Sequence, residues 1–183
     1  GHSFITVDYA AMELRVLSHI AKEGNMQTAF NQGADLHTYT AQLLFNKKTV
    51  TKQERQIAKT VSFLIVYGGG PFNLSETMGI SMRKAEVVNR SLRQGLNFTI
   101  QSTASDILLC SLLGISRTFK ANNLQARPVA TVHDSVEVIC PDSEVDKVIK
   151  IIYNEMVNYP LIKKLFNIEF DVPLKIDIEV GRS

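Results

Sequence analysis

The chain has 183 residues, 45% of them apolar and 21% charged, with a formal net charge of +2. That balance excludes a disordered, collagen-like or polyionic chain and leaves a folded globular one. A near-neutral total neither demands nor excludes a nucleic-acid partner, because a basic face can sit inside it.

No run approaches the ~18 apolar residues of a membrane span. No basic segment followed by an apolar run opens the chain, so no signal peptide is expected. Cys110 and Cys140 both lie in apolar surroundings. They read as buried free thiols of a reducing compartment.

"SFITVDY" is β-rich and ends at Asp8. "AAMELRVLSHIAKE" follows with Met12, Val16 and Ile20 at helical spacing. Asp8 is therefore expected where a strand gives way to a helix. "ADLHTYTAQLLF" reads as a second helix. "TVTKQERQIAKTVSFLIVYGGG" reads as a third, opened by the capping-box spacing of Thr51 and Glu54 and ended by Gly68-Gly69-Gly70-Pro71. "SMRKAEVVNRSLRQ" is polar and short. "QSTASDILLCSLLGISRTFK" predicts a long, mostly buried helix.

"TVHDSVEV" predicts a β-hairpin with His133 and Asp134 at its tip. "DSEVDKVIKIIYNEMVNY" predicts an amphipathic helix with Val145, Val148, Ile152 and Met156 on one side. "FDVPLKIDIEVG" closes with strand alternation. No repeat or low-complexity tract interrupts the order. Strand, helices, hairpin, helix and strand predict an α+β fold with an antiparallel sheet and helices on one face.

Two features carry chemistry. Asp8 ends one strand and Asp134 sits on a hairpin tip. Carboxylates at neighbouring strand ends can hold a pair of Mg²⁺ ions, which suit phosphoryl transfer. Mg²⁺ takes only one or two carboxylates when substrate phosphates supply the rest, so a sparse pair is sufficient. The plain alternative is a helix N-cap at Asp8 and a turn residue at Asp134. The second feature is a stripe of Arg55, Lys59, Phe63 and Tyr67 at a spacing of four. Each step rotates only about 40°, so the stripe winds slowly round the helix. Cations suit a triphosphate and rings suit a sugar and base.

"DYAAMELRVLSH", "RQIAKTVSFLIVYG" and "TVHDSVEV" together resemble motifs A, B and C of the family A DNA polymerases. The usual forms are DYSQIELR, RxxxKxxxFGxxYG and VHDE. Asp8, Glu13, Leu14 and Arg15 match the first. Arg55, Lys59, Phe63, Tyr67 and Gly68 match the second. His133 and Asp134 match the third. "ADLHT" is similar to the family's DxHT segment, through Asp35 and His37. "RQGLNFTIQSTASD" is similar to its Arg/Asn/Gln helix, through Arg93, Asn97, Gln101 and Asp106. "VPLKIDIEVG" resembles its closing strand, without the usual tryptophan after it.

The resemblance implies a palm sheet with packed helices and a helical fingers part. Residues 1–50 would be palm leading into fingers, 51–89 fingers, and 90–183 palm. It implies DNA-templated addition of dNTPs to a primer 3′-hydroxyl. Asp8 and Asp134 would hold two Mg²⁺ ions (Mn²⁺ as a substitute), with the Tyr9 carbonyl assisting. Arg55 and Lys59 would grip the β- and γ-phosphates, and Lys59 would protonate the leaving group. Glu13 would be the steric gate against a 2′-hydroxyl. Phe63 would pack on the sugar and Tyr67 near the templating position. Arg93, Asn97, Gln101, His133 and Arg15 would contact primer-template. The partners implied are DNA, dNTPs and the thumb or exonuclease parts of the same or a companion chain, in bacterial or phage-infected cytoplasm, with an organelle as the alternative and no membrane.

The chain also departs from the pattern. Ala10 and Ala11 replace Ser-Gln, Leu64 replaces a glycine, and Ser135 replaces the Glu after Asp134. A few tens of residues of fingers are expected between "SMRKAEVVN" and "RSLRQGLN", where the flanks nearly fuse around Val88–Ser91. These departures keep a non-catalytic nucleic-acid-binding palm as the alternative. A single-subunit RNA polymerase is disfavoured by Glu13 and Phe63.

Overall fold

The computed structural model describes residues 1–22, 24–66, 69–79, 81–83, 86 and 96–182. They fall into two units: Gly1–Arg15 with Ser102–Ser183, and Val16–Gln101.

The first unit is built on a sheet. Strand β1 (His2–Tyr9) alternates, with Ser3, Ile5, Val7 and Tyr9 buried. Period two puts those four on one face. β2 (Arg127–Val132) and β3 (Ser135–Pro141) form the expected hairpin, and β4 (Ile176–Arg182) closes the sheet. The order is β2-β3-β1-β4, with every pairing antiparallel. Pro128 cannot donate to the ladder; it lies in edge strand β2, beside a register shift before Ala130.

The helices are α1 (Met12–Ala21), α2 (Gly24–Asn31), α3 (Leu36–Phe45), α4 (Lys52–Val66), α5 (Pro71–Met78), α6 (Leu96–Ala121), α7 (Val145–Val157) and α8 (Pro160–Phe166). In the first unit, α6 and α7 meet the buried face of the sheet. The Tyr9 hydroxyl shares a hydrogen bond with Ser111 of α6 (2.9 Å) and donates to the Met156 carbonyl of α7 (3.0 Å). Val148, Ile152 and Met156 are fully buried, as their spacing predicts. Each large apolar side chain buried there contributes roughly 2 kcal/mol.

Helix α6 is less buried than its composition suggests. Ile107, Leu108, Ile115 and Phe119 point inward, while Leu109 and Leu113 are 58% and 42% exposed. Its apolar residues wrap further round than the sheet can cover. Cys110 is likewise only half-buried, whereas Cys140 is buried; both are free thiols.

The second unit is helical, with α2, α3, α4 and α5 packed in succession. The capping box forms: the Thr51 N–H donates to Glu54 at 2.8 Å and the Glu54 N–H donates to Thr51 Oγ1 at 3.2 Å. α4 ends at Val66, ahead of the glycines. Pro71 does more than stop it, since it opens α5 at a position that needs no N–H. Gly69 is required by contact: a Cβ there would lie 2.7 Å from Leu64 Cδ2. The short helices α2, α5 and α8 carry no clear period and give no sequence signal.

Candidate active site

Asp8 is the second-last residue of β1, with Ser135 as its register partner on β3 and Asp177 on β4. Asp134 immediately precedes β3, so it hangs just beyond the last paired position. The Tyr9 N–H reaches the Asp134 carbonyl at 3.4 Å and ties the tip to the strand. Two non-glycine residues here take left-handed backbone: Ala11 (φ 54°) and His133 (φ 55°). Such conformations cost about 1–3 kcal/mol and persist where the surroundings enforce them. They turn the chain sharply beside both carboxylates.

The two carboxyls lie within hydrogen-bonding reach of each other. Asp134 is pushed up to about 6, first by burial, then by the Asp8 carboxylate, and further by Glu13. Like charges held together disfavour ionisation. Asp8 itself is exposed, which leaves one side of the pair open to solvent.

Beneath them, Ser135 is buried. Its hydroxyl lies 3.0 Å from the Val132 carbonyl and 3.1 Å from Glu137 Oε1. Glu137 also accepts from Thr6 Oγ1 at 2.6 Å. Where the family pattern has a carboxylate, this chain has a hydroxyl that pins the hairpin and leans on a carboxylate two residues on.

Arg15 was expected at primer-template. It is only 5% exposed, and its Nε donates to the Ala10 carbonyl at 2.8 Å while Nη1 donates to the Pro173 carbonyl. Burial lowers its pKa to about 10. Its visible work is to clamp the turn after Asp8.

In the second unit, α4 presents Arg55, Lys59 and Phe63 in one stripe. Lys59 Nζ lies 5.8 Å from the centre of the Phe63 ring. His37 packs against that ring with centroids 5.9 Å apart. Arg55 is held by Asp35, the first residue of the DxHT-like segment. Lys59, Phe63, Leu64 and Gly69 line a cavity of about 430 Å³ together with Gln56 and Thr60. Leu64, the departure from the family glycine, closes that cavity against Gly69.

His37 is 8% exposed, and its Nδ1 has no hydrogen-bond partner among the described residues. Burial lowers its pKa, Asp35 opposes this, and Arg55 and Lys59 lower it further. Gln101 and His133 are exposed, as nucleic-acid contacts would need to be. Asn97 is the second residue of α6. Tyr67, Gly68, Arg93 and the Val88–Ser91 junction lie outside the described residues.

Among the described residues, no group of three His, Cys, Asp or Glu side chains converges on one point. The Asp8–Asp134 pair still fits Mg²⁺, which takes one or two carboxylates and completes its shell with water and phosphate oxygens.

The family model for DNA polymerase family A matches residues 1–92 and 83–183. The chain belongs to that family.

Two of its curated relatives are the DNA polymerase I proteins of Treponema pallidum (29% identical over all of this chain) and Bacillus subtilis (29% over 96% of it). The chain spans about a quarter of their length, 23% and 25%. The alignment with the Treponema polymerase runs over 234 positions against 183 residues here, so that relative carries an internal segment or segments that this family A chain lacks. Among solved structures it resembles the "POL domain of Pol1 from M. smegmatis complex with DNA primer-template and dNTP", with a TM-score of 0.84 and 23% identity. That match covers 99% of this chain and 40% of the other. It establishes the polymerase fold: an antiparallel four-stranded sheet with packed helices, as the order of elements predicts. No described helix is long and apolar enough to cross a membrane.

Proposed function

We propose that this chain is the catalytic portion of a DNA-templated DNA polymerase that extends a primer 3′-hydroxyl with dNTPs, in replication or repair. The observation that carries this reading is the convergence of Asp8 and Asp134. They lie 126 positions apart in sequence, yet they meet at neighbouring strand ends, where Asp8 helps to raise the pKa of Asp134. On this reading the sheet unit serves as palm, the helical unit as fingers, and the cytoplasm as the place of work.

Asp8, Asp134 and the Tyr9 carbonyl would hold two Mg²⁺ ions, which would lower the pKa of the attacking hydroxyl and neutralise charge on pyrophosphate. Arg55 and Lys59 bind the β- and γ-phosphates through charged N–H groups. Lys59 Nζ is the group to hand a proton to the departing pyrophosphate. Phe63 offers its face to the sugar, and the resemblance gives Tyr67 a role near the templating position. Glu13, close enough to act on Asp134, fills the space below the sugar C2′ and so selects deoxyribose. Arg93, Asn97, Gln101 and His133 read the primer end, where minor-groove acceptors are nearly sequence-independent. Arg15 supports these contacts indirectly, by fixing the turn after Asp8.

The test is Asp134→Asn in the complete polymerase. Primer extension should vanish while primer-template binding persists. Extension at the wild-type rate overturns the reading and leaves a non-catalytic nucleic-acid-binding module in its place.

A further inference from the structure

Asp35 occupies an unusual junction. It is the N-cap of α3, with its carboxylate accepting from the Thr38 N–H at 3.2 Å and the Thr38 hydroxyl at 2.5 Å. The same carboxylate receives two bonds from Arg55 of α4: Nε to Oδ2 at 2.5 Å and Nη2 to Oδ1 at 3.0 Å. The partners are twenty residues apart, so the pair joins two helices.

A guanidinium has two edges able to engage an oxyanion bidentately: the Nε/Nη side and the Nη/Nη end. Asp35 takes the side edge. Nη1 and the second Nη2 proton form the end edge, which Asp35 does not use. An arginine on a free stem would sample many rotamers, and ordering it costs entropy on binding. Here that ordering precedes the ligand. Burial alone would raise the Asp35 pKa, but the bonds from Arg55 and Thr38 outweigh it and hold it at about 2. The Asp35 carboxylate is therefore ionised at any working pH.

We propose that Asp35 is a positioning residue for nucleotide binding, fixing the Arg55 guanidinium so that its end edge receives a nucleoside-triphosphate phosphate. This rests on the reading of α4 as the triphosphate-binding helix. Asp35 need not touch the nucleotide; its effect passes through Arg55. By capping α3 it also fixes the start of the helix that carries His37, which packs against Phe63 of α4.

Asp35→Asn separates the roles. Asn caps a helix as well as Asp does but cannot pair with a guanidinium as a charged fork. The complete polymerase, bound to primer-template with a dideoxy-terminated primer, would be titrated with the next correct dNTP. Asp35→Asn should raise the dissociation constant roughly tenfold, the loss of one oriented charged contact, with kcat on an extendable primer little changed. Arg55→Ala should weaken binding at least as much. The double variant should be no weaker than Arg55→Ala alone, because Asp35 has nothing left to position. Wild-type or tighter dNTP binding by Asp35→Asn overturns the inference, as does full additivity in the double variant. If Arg55→Ala leaves dNTP binding unchanged, the reading of α4 falls and this inference with it. If only Asp35→Asn is silent, the inference alone falls.

Discussion

Asp8 and Ser135 face each other as register partners across β1 and β3, and the residue before Ser135 is the second carboxylate. The register of a single strand pair therefore sets the distance between Asp8 and Asp134. A slip of one residue would turn every side chain to the other face. The buried Ile5, Val7, Val136 and Val138 forbid that slip, so the apolar core fixes the geometry of the polar site.

The paired carboxylates should make stability depend on pH and on divalent cations. The Asp134 carboxyl is raised to about 6 in the folded protein, against 3.8 ordinarily. Below about pH 4 it is protonated in both states and imposes no penalty. As pH rises through roughly 4 to 6 the unfolded chain gives up this proton more readily than the folded one, so stability falls and then levels off. Mg²⁺ should restore stability at pH 7 by favouring the ionised pair. Urea midpoints from pH 4 to 8, with Mg²⁺ and with EDTA, measure this. Asp134→Asn should flatten both dependences. A wild-type Mg²⁺ effect that persists in Asp134→Asn would place the ion elsewhere.

Glu13 should govern sugar selection. Glu13→Ala in the complete polymerase should raise the ratio of ribonucleotide to deoxyribonucleotide kcat/KM by tenfold or more, about 1.4 kcal/mol of discrimination lost. The same change removes one charge that raises Asp134. An unchanged ratio would remove Glu13 from the gate.

Arg15 should behave as a clamp. Arg15→Met leaves the Ala10 and Pro173 carbonyls without their donor. The cost should be about 2–3 kcal/mol in denaturant unfolding, as for a hydrogen bond from a charged donor. The salt dependence of DNA affinity should not change, since a phosphate contact would contribute to that slope. A slope reduced by about one unit would return Arg15 to the DNA surface.

Tyr9→Phe should cost about 1–2 kcal/mol, because the hydroxyl bridges Ser111 and the Met156 carbonyl inside the core. Burial raises the Tyr9 pKa, so the phenol remains neutral and serves as a fastener. Equal stability of the two proteins would show that water replaces the bridge.

The sequence made the sheet legible, because β1, β3 and β4 alternate in period two and the hairpin tip is polar. It offered Asp8 and Asp134 as carboxylates at strand ends, and the resemblance paired them, since nothing local tells a strand which partner it will meet. Three relationships stayed hidden. The guanidinium of Arg15 reads as a surface cation until Pro173 is seen beside it. Asp35 reads only as the start of the DxHT-like segment, and its partner Arg55 lies on another helix. Glu137 shares its face of β3 with Ser135, and only the fold places Thr6 of β1 against it. In each case the missing information is a long-range neighbour, whereas capping and periodicity are local.

The interleaving of the sheet has a consequence for how the protein is made. β1 near residue 8 pairs with β3 near residue 135 and with β4 near residue 177. The helical unit lies between the first strand and its partners in sequence. On the ribosome, that helical segment emerges while β1 still waits with both edges unpaired. Closing so long a loop is slow, and unpaired strand edges invite wrong partners meanwhile. The carboxylate pair can form only once β3 has emerged, and the sheet is complete only once β4 has. A nascent chain therefore holds no assembled carboxylate pair, and a chain truncated before residue 134 never acquires one.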